Sequence, residues 1–229
     1  MLEDLKQQVF KANLDLVKYN LVVLTWGNVS GIDRESGLIV IKPSGVDYDK
    51  MKIDDMVVVD LEGKIVEGNK RPSSDTPTHI ELYKAFPKLG GITHTHSNFA
   101  TMFAQACKEI PCLGTTHADH FYGSIPVTRF LTEEEVEKGY EKSTGTVIID
   151  RFKNLDVASM PAVLVAGHAP FSFGKNAADS VKNALVLERV AEMAIGTFQL
   201  NSKILDLPKY ISEKHYQRKH GPNAYYGQK

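Results

Sequence analysis

Residues 90–97 read Gly90-Gly91-Ile92-Thr93-His94-Thr95-His96-Ser97. Glycines and an apolar residue lead into two histidines, which predicts the end of a buried strand. Residues two apart on a strand share a face, with Cα atoms about 7 Å apart. His94 and His96 therefore bring two imidazoles to one side of the chain. Neutral imidazole is the commonest protein metal ligand, and nitrogen–metal bonds of about 2 Å place both within reach of one ion. The same pattern also suits two half-buried histidines with local hydrogen bonds, so the rest of the sequence has to decide.

On either side of this stretch the pattern is helical. Residues 77–86 predict a helix with Pro77 in its first turn. Ser97 is placed to cap a second helix running to about residue 107. A third histidine stands in Val165-Ala166-Gly167-His168-Ala169-Pro170, after the apolar run Ala162–Ala166. Three histidines at strand ends match the three-ligand, open-position arrangement of a catalytic zinc site.

The remaining elements follow from periodicity. Leu2, Leu5, Val9, Phe10, Leu14 and Val17 predict an amphipathic helix over residues 2–19. Trp26-Gly27-Asn28-Val29-Ser30-Gly31 reads as a turn. Leu38–Ile41, Met56–Val59, Val147–Ile149 and Ala162–Ala166 read as strands, and Glu62-Gly63-Lys64 as a hairpin loop. Thr132-Glu133-Glu134-Glu135 is a capping box opening a short acidic helix. Residues 176–199 predict the longest helix, and a polar, aromatic and basic tail runs from about 206 to 229. No repeat or Pro/Gly/Ser-rich linker interrupts the chain. The expected fold is a single α/β domain over residues 1–229, with a central mixed, largely antiparallel sheet flanked by helices.

Composition narrows the function. The 229 residues are 42% hydrophobic and carry a formal net charge of −1, so a sizeable core is expected and a nucleic-acid surface is not. No apolar run approaches the roughly 18 residues of a membrane helix. The N-terminus lacks the basic and apolar regions of a secretory signal. Cys107 and Cys112 read as reduced packing residues. These readings predict a cytoplasmic protein with no membrane partner.

Two loops have the makings of an anion site: Lys42-Pro43-Ser44-Gly45 after a strand and Pro72-Ser73-Ser74-Asp75 before a helix. Each is also an ordinary turn sequence. Asp75 reads as a helix cap, a carboxylate ligand or a base. Asp119, between His117 and His120 after Gly114-Thr115-Thr116, is a candidate acid or base. The tail segments Lys214-His215-Tyr216-Gln217-Arg218-Lys219-His220 and Tyr225-Tyr226 are rich in donors.

The ordered set of these segments resembles the class II aldolase family, in particular its epimerase branch. It runs from Leu2-Glu3-Asp4-Leu5 through Thr25-Trp26-Gly27-Asn28-Val29-Ser30, Ile41–Tyr48, Pro72–His79, His94–Ser97 and Gly114–Asp119 to Lys214-His215-Tyr216 and Ala224–Gln228. The resemblance implies a class II aldolase-like fold and a divalent zinc held by Asp75, His94, His96 and His168. Mn2+, Co2+ and Ni2+ suit the same ligands, and no nicotinamide or other organic cofactor is implied. It assigns Gly27, Asn28, Lys42, Ser44, Gly45, Ser73 and Ser74 to a substrate phosphate site. Asp119 and Tyr226 match an acid/base pair, and His215 and Arg218 match tail residues that hold substrate. A homotetramer is implied, with active sites between subunits.

The implied reaction is C4 epimerisation of L-ribulose 5-phosphate to D-xylulose 5-phosphate by C3–C4 cleavage and re-formation, as in arabinose catabolism. Family aldolases acting on fuculose or rhamnulose 1-phosphate usually carry Glu, used as the base, where this sequence has Asp75. A sugar-phosphate aldolase is therefore the alternative, and a non-catalytic sugar-phosphate binding protein a more distant one. His120 departs from the aromatic residue common after the acid/base aspartate.

Overall fold

The protein is described by a computed structural model over residues 2–226. Gly227 and Gln228 of the tail motif lie outside the described residues. Seven strands, β1 (Asn28–Asp33), β2 (Leu38–Ile41), β3 (Val57–Val59), β4 (Ile65–Glu67), β5 (Gly91–His94), β6 (Ala162–Leu164) and β7 (Pro170–Gly174), form one sheet. Its order is β4-β3-β2-β1-β5-β7-β6, and every ladder between these strands is antiparallel. Among the described residues the α-helices are α1 (Glu3–Lys18), α2 (Thr76–Ala85), α3 (Asn98–Gln105), α4 (Thr115–Ala118), α5 (Glu133–Arg151), α6 (Ala177–Leu200) and α7 (Lys209–His220). The α/β class and the helix-flanked antiparallel sheet are as the sequence predicts; among the described residues no helix is long and apolar enough to cross a membrane.

Strand periodicity separates the core into two layers. In β3, Val57 and Val59 join one apolar cluster and Val58 joins the other. Adjacent residues of β2 divide likewise, Ile39 to the first and Val40 to the second. Alternating side chains leave a strand on opposite faces, so continuous apolar runs imply a sheet covered on both sides. Helix α1 covers one face with Val9, Ala12 and Leu16. Helix α6 spans both layers, giving Val181 and Ala184 to the α1 side and Leu187, Val190 and Ala191 to the other. Each large apolar side chain so buried contributes about 1.5–3 kcal/mol relative to exposure.

Four local expectations are corrected by tertiary packing. Val147–Ile149 lies in α5, not in a strand. Thr144, Val147 and Ile148 recur at helical spacing and are buried, and α5 packs on α2, where Thr78 Oγ1 donates to the Glu141 carbonyl at 2.6 Å. The capping box of Thr132 and Glu135 is present, but its helix continues to Arg151. Asn28–Gly31 is not a turn but the start of β1, paired with both β2 and β5. Its support comes from α1: Asn13 Oδ1 accepts from Val29 N at 2.9 Å, and Asn13 Nδ2 donates to Val29 O at 3.1 Å.

Ser97 occupies the cap position of α3 without a side-chain cap bond. The buried Glu188 of α6 serves instead, accepting from Phe99 N at 2.9 Å and Ala100 N at 3.0 Å. A carboxylate at a helix N-terminus satisfies orphan amides and meets the positive end of the helix dipole.

Candidate metal centre

His94 ends β5, in register with Asn28 of β1 on one side and Phe171 of β7 on the other. Its ring stacks on Phe171 at 4.2 Å between centroids. His94 Nδ1 donates to the Pro170 carbonyl at 3.0 Å, which leaves Nε2 as the free nitrogen. His96 lies two residues past the strand and His168 in the turn between β6 and β7. The three ring centroids are 5.0, 4.9 and 5.0 Å apart, and one nitrogen from each lies within 4.8 Å of the others. Asp75 Oδ2 is 4.0 Å from His94 Nε2.

This donor set fits a divalent ion. Three imidazoles converge, the outer nitrogen of His94 is tied to a carbonyl as metal-binding histidines require, and a carboxylate stands alongside. Burial lowers the His96 pKa, as does the neighbouring His94. Burial, with His94 and His96 nearby, lowers that of His168 to about 4. Both imidazoles are thus neutral at pH 7, the form that binds metal. For Asp75, burial pushes upward but is outweighed by His94, His79 and the Asn28 donor, so its carboxyl stays below the usual range.

The histidines open onto a cavity of about 540 Å³. Its walls include Gly27, Asn28, Lys42, Ser44, Gly45, Ser73, Ser74 and Asp75, so the structure joins the two phosphate-type loops to the histidines. The loops clasp each other: Ser73 N donates to Lys42 O and Ser44 N to Arg71 O, both at 2.9 Å. Gly27 has φ +72°, and a Cβ there would meet the His94 carbonyl at 2.9 Å, so only glycine lets the chain pass this close. Lys42 is buried, with Nζ donating to Thr25 O at 3.2 Å and lying 4.7 Å over the Tyr48 ring. Burial lowers its pKa.

Tyr140 and Glu141 also line this cavity and were not predicted. Tyr140 Oη lies 3.3 Å from His168 Nδ1. The sequence reading of this region stops at the capping box and the short acidic helix. The available signal was Gly139, whose φ of 146° and ψ of 96° break α5 just before Tyr140.

Asp119, His215, Arg218 and Tyr226 form a separate cluster and do not line the cavity of their own chain. Asp119 ends the short α4, and α7 packs against it. Arg218 Nη2 donates to Asp119 Oδ2 at 2.7 Å, and His215 Nδ1 lies 3.0 Å from Oδ1. Burial pushes the Asp119 pKa upward, but hydrogen bonds from Arg218 and His215 bring it below the usual range. The Tyr226 ring lies 4.7 Å from the Arg218 guanidinium and 4.4 Å from Lys219 Nζ. Tyr225 is beside Lys214 instead. Burial and the charges of Lys219 and Lys182 lower the His120 pKa to about 4, so it stands neutral beside Asp119.

A sheet of this topology with a three-histidine centre at its strand ends defines an α/β protein built around a cavity whose histidines could hold a metal ion. The profile of the Class II Aldolase and Adducin N-terminal domain family matches residues 7–195, and the chain belongs to that family. Among solved structures, an L-fuculose 1-phosphate aldolase is similar at 26% identity and TM-score 0.79, covering 94% of this chain and 95% of that one. An l-fuculose-1-phosphate aldolase from Thermus thermophilus gives 21% identity and TM-score 0.68, covering 89% of this chain and 98% of that one. A sugar-phosphate aldolase from Thermotoga maritima gives 20% and 0.66, covering 90% and 98%. The last two share the fold.

Proposed function

We propose that this protein is an L-ribulose-5-phosphate 4-epimerase, which interconverts L-ribulose 5-phosphate and D-xylulose 5-phosphate. The observation that carries this reading is Asp75. It is a short carboxylate set 4.0 Å from His94 Nε2 and held by Asn28, a position suited to a ligand rather than to a mobile base. The resemblance to the epimerase branch rests on the same residue.

The hydrogen on C4 is not adjacent to the C2 carbonyl and is not acidic, so simple proton removal does not invert C4. Breaking C3–C4 does. One member of the pair Asp119 and Tyr226 accepts the C4 hydroxyl proton as the C3–C4 electron pair moves toward C2. The fragments are the enediolate of dihydroxyacetone, from C1–C3, and glycolaldehyde phosphate, from C4–C5. The aldehyde turns its other face, C3 attacks, and the second member of the pair protonates the new C4 oxygen. No hydride leaves. His94, His96, His168 and Asp75 would hold a divalent cation, which would supply Lewis-acid stabilisation of the enediolate charge. Zinc is the expected ion, and Mn2+, Co2+ or Ni2+ suit the same ligands.

Gly27, Asn28, Lys42, Ser44, Gly45, Ser73 and Ser74 hold the phosphate, which stays on the aldehyde fragment and keeps it in the site while its carbonyl turns. Asp119 and Tyr226 stand apart from their own chain's cavity, so they serve the cavity of a neighbouring copy in a homotetramer. Arg218 contacts both Asp119 and Tyr226, which favours Tyr226 over Tyr225 as the working tyrosine.

The similarity to L-fuculose 1-phosphate aldolase favours a second reading, an aldolase that releases its aldehyde. A coupled assay separates the two. Purified protein with L-ribulose 5-phosphate is monitored for D-xylulose 5-phosphate and for free glycolaldehyde phosphate, before and after chelation and zinc restoration. Metal-dependent xylulose 5-phosphate without glycolaldehyde phosphate supports the epimerase. Glycolaldehyde phosphate released at the rate of substrate loss supports the aldolase.

A further inference from the structure

Tyr140 reaches the histidine centre from α5, a helix that carries none of the candidate ligands. Its hydroxyl lies 3.3 Å from His168 Nδ1, and the two rings stand 5.9 Å apart, tilted by 48°. The histidines are not held alike. His94 is tied through Nδ1 to the Pro170 carbonyl. His168 has a fixed backbone: its N donates to Val165 O at 3.0 Å, and a Cβ on the preceding Gly167 would meet Phe130 at 2.7 Å. Its ring, by contrast, has the Tyr140 hydroxyl as its one hydrogen-bond partner among the described residues.

Tyr140 is itself anchored. Gly139, at φ 146° and ψ 96°, breaks α5 just before it. Thr144 Oγ1 donates to the Tyr140 carbonyl at 2.9 Å, and Thr78 Oγ1 to the Glu141 carbonyl at 2.6 Å. Thr78 belongs to α2, which starts directly after Asp75. The hydroxyl is thus aimed at His168 from a backbone fastened to the helix that follows Asp75.

The roles in this bond follow from chemistry. A neutral imidazole has one N–H, and an imidazole that ligates through Nε2 carries it on Nδ1. Nδ1 then donates and the tyrosine oxygen accepts. Such a partner fixes the tautomer and the plane of the ring.

We infer that Tyr140 is a positioning residue: its hydroxyl orients His168 so that Nε2 faces the point shared with His94 and His96. The inference rests on the metal centre proposed above. Partners of this kind typically change metal affinity 10- to 100-fold.

The test uses the full chain, loaded with Co2+ or with Zn2+, as wild type, Tyr140→Phe and Tyr140→Leu. Phe keeps the ring and removes the hydroxyl. Leu removes both, so that one poorly folded variant does not decide the result. In the Co2+ protein, ring N–H protons of ligating histidines give strongly shifted NMR signals, and those held in hydrogen bonds exchange slowly with water. The wild-type spectrum is expected to show one slow signal from His94 and one from His168. In both variants the His168 signal is expected to vanish, while that of His94, bonded to Pro170, stays as an internal reference. Zinc release to a chromophoric chelator is expected to be about 10- to 100-fold faster in both.

Loss of both signals together overturns the inference, since it indicates general loosening. A wild-type spectrum without a slow His168 signal overturns it too, as does zinc release unchanged in either Tyr140 variant. If the wild-type chain binds neither ion, or His168→Ala leaves zinc binding unchanged, the metal-centre reading fails first and the role of Tyr140 falls with it. If His168→Ala weakens zinc binding and the Tyr140 variants do not, only the Tyr140 inference fails.

Discussion

Arg218 grips Asp119 side-on, its Nε donating to Oδ1 at 3.1 Å and its Nη2 to Oδ2 at 2.7 Å. Such a paired contact fixes the plane of the carboxylate as well as its charge. The same guanidinium lies under the Tyr226 ring. One tail residue thus sets the positions of both groups proposed to move protons.

Replacing Tyr226 by Phe removes the hydroxyl and leaves the ring on Arg218. Turnover is expected to fall at least about 100-fold, the usual contribution of a positioned acid or base, with KM changed little. Steady-state kinetics with L-ribulose 5-phosphate provides the check, and unaltered kcat removes Tyr226 from the mechanism.

If the histidine triangle holds the metal as proposed, removing one corner is expected to weaken its binding. For the wild-type chain, zinc at 100 times its Kd adds about 2.7 kcal/mol of stability, a rise in Tm of roughly 5–10 °C for a chain of this size. His168→Ala is expected to abolish that rise and the metal-dependent activity together. Thermal scans with and without zinc measure it. A retained zinc-induced rise places the ion elsewhere.

Gly139→Ala isolates the break in α5. No atom lies within 4 Å of a Cβ built there, so the cost comes from the backbone, held at φ +146°. A residue with a side chain in that region loses about 1–3 kcal/mol, or roughly 2–12 °C in Tm. Relaxation toward a continuous helix would also move Tyr140 away from His168, so kcat is expected to fall with the Tm. Calorimetry and kinetics on the purified variant test both parts.

His117 carries a pH dependence. It is buried, its Nε2 bonds the Gly123 carbonyl at 2.8 Å, and burial lowers its pKa to about 4. Unfolded histidine titrates near 6.5. The unfolded chain therefore binds a proton that the folded chain refuses between pH 6.5 and 4. Stability from this group is fully present above pH 6.5 and is lost as pH falls toward 4, at up to about 1.4 kcal/mol per pH unit. Urea titrations from pH 7 to pH 4.5 on metal-free protein, with His117→Gln as the reference, are expected to show a shallower acid loss in the variant. Parallel curves refute the assignment.

Elements with local signals were legible from the residues themselves. The valines of β3 alternate between two buried faces, Thr132 and Glu135 build a capping box from residues three apart, and three histidines lie near strand ends. Long-range packing settled the places where local preference was weak or the contacts were distant along the chain. Val147–Ile149 favours strand by composition, but such preferences span at most about 1 kcal/mol, less than burial against α2 returns. Asn28-Val29-Ser30-Gly31 reads as a turn until Asn13 and two neighbouring strands supply its hydrogen bonds. That His168 meets His94 and His96 follows from the pairing of β5 with β7, which no short-range pattern encodes. The same holds for the separation of the histidine centre from the Asp119 cluster, because packing of α7 on α4, not spacing along the chain, places the tail.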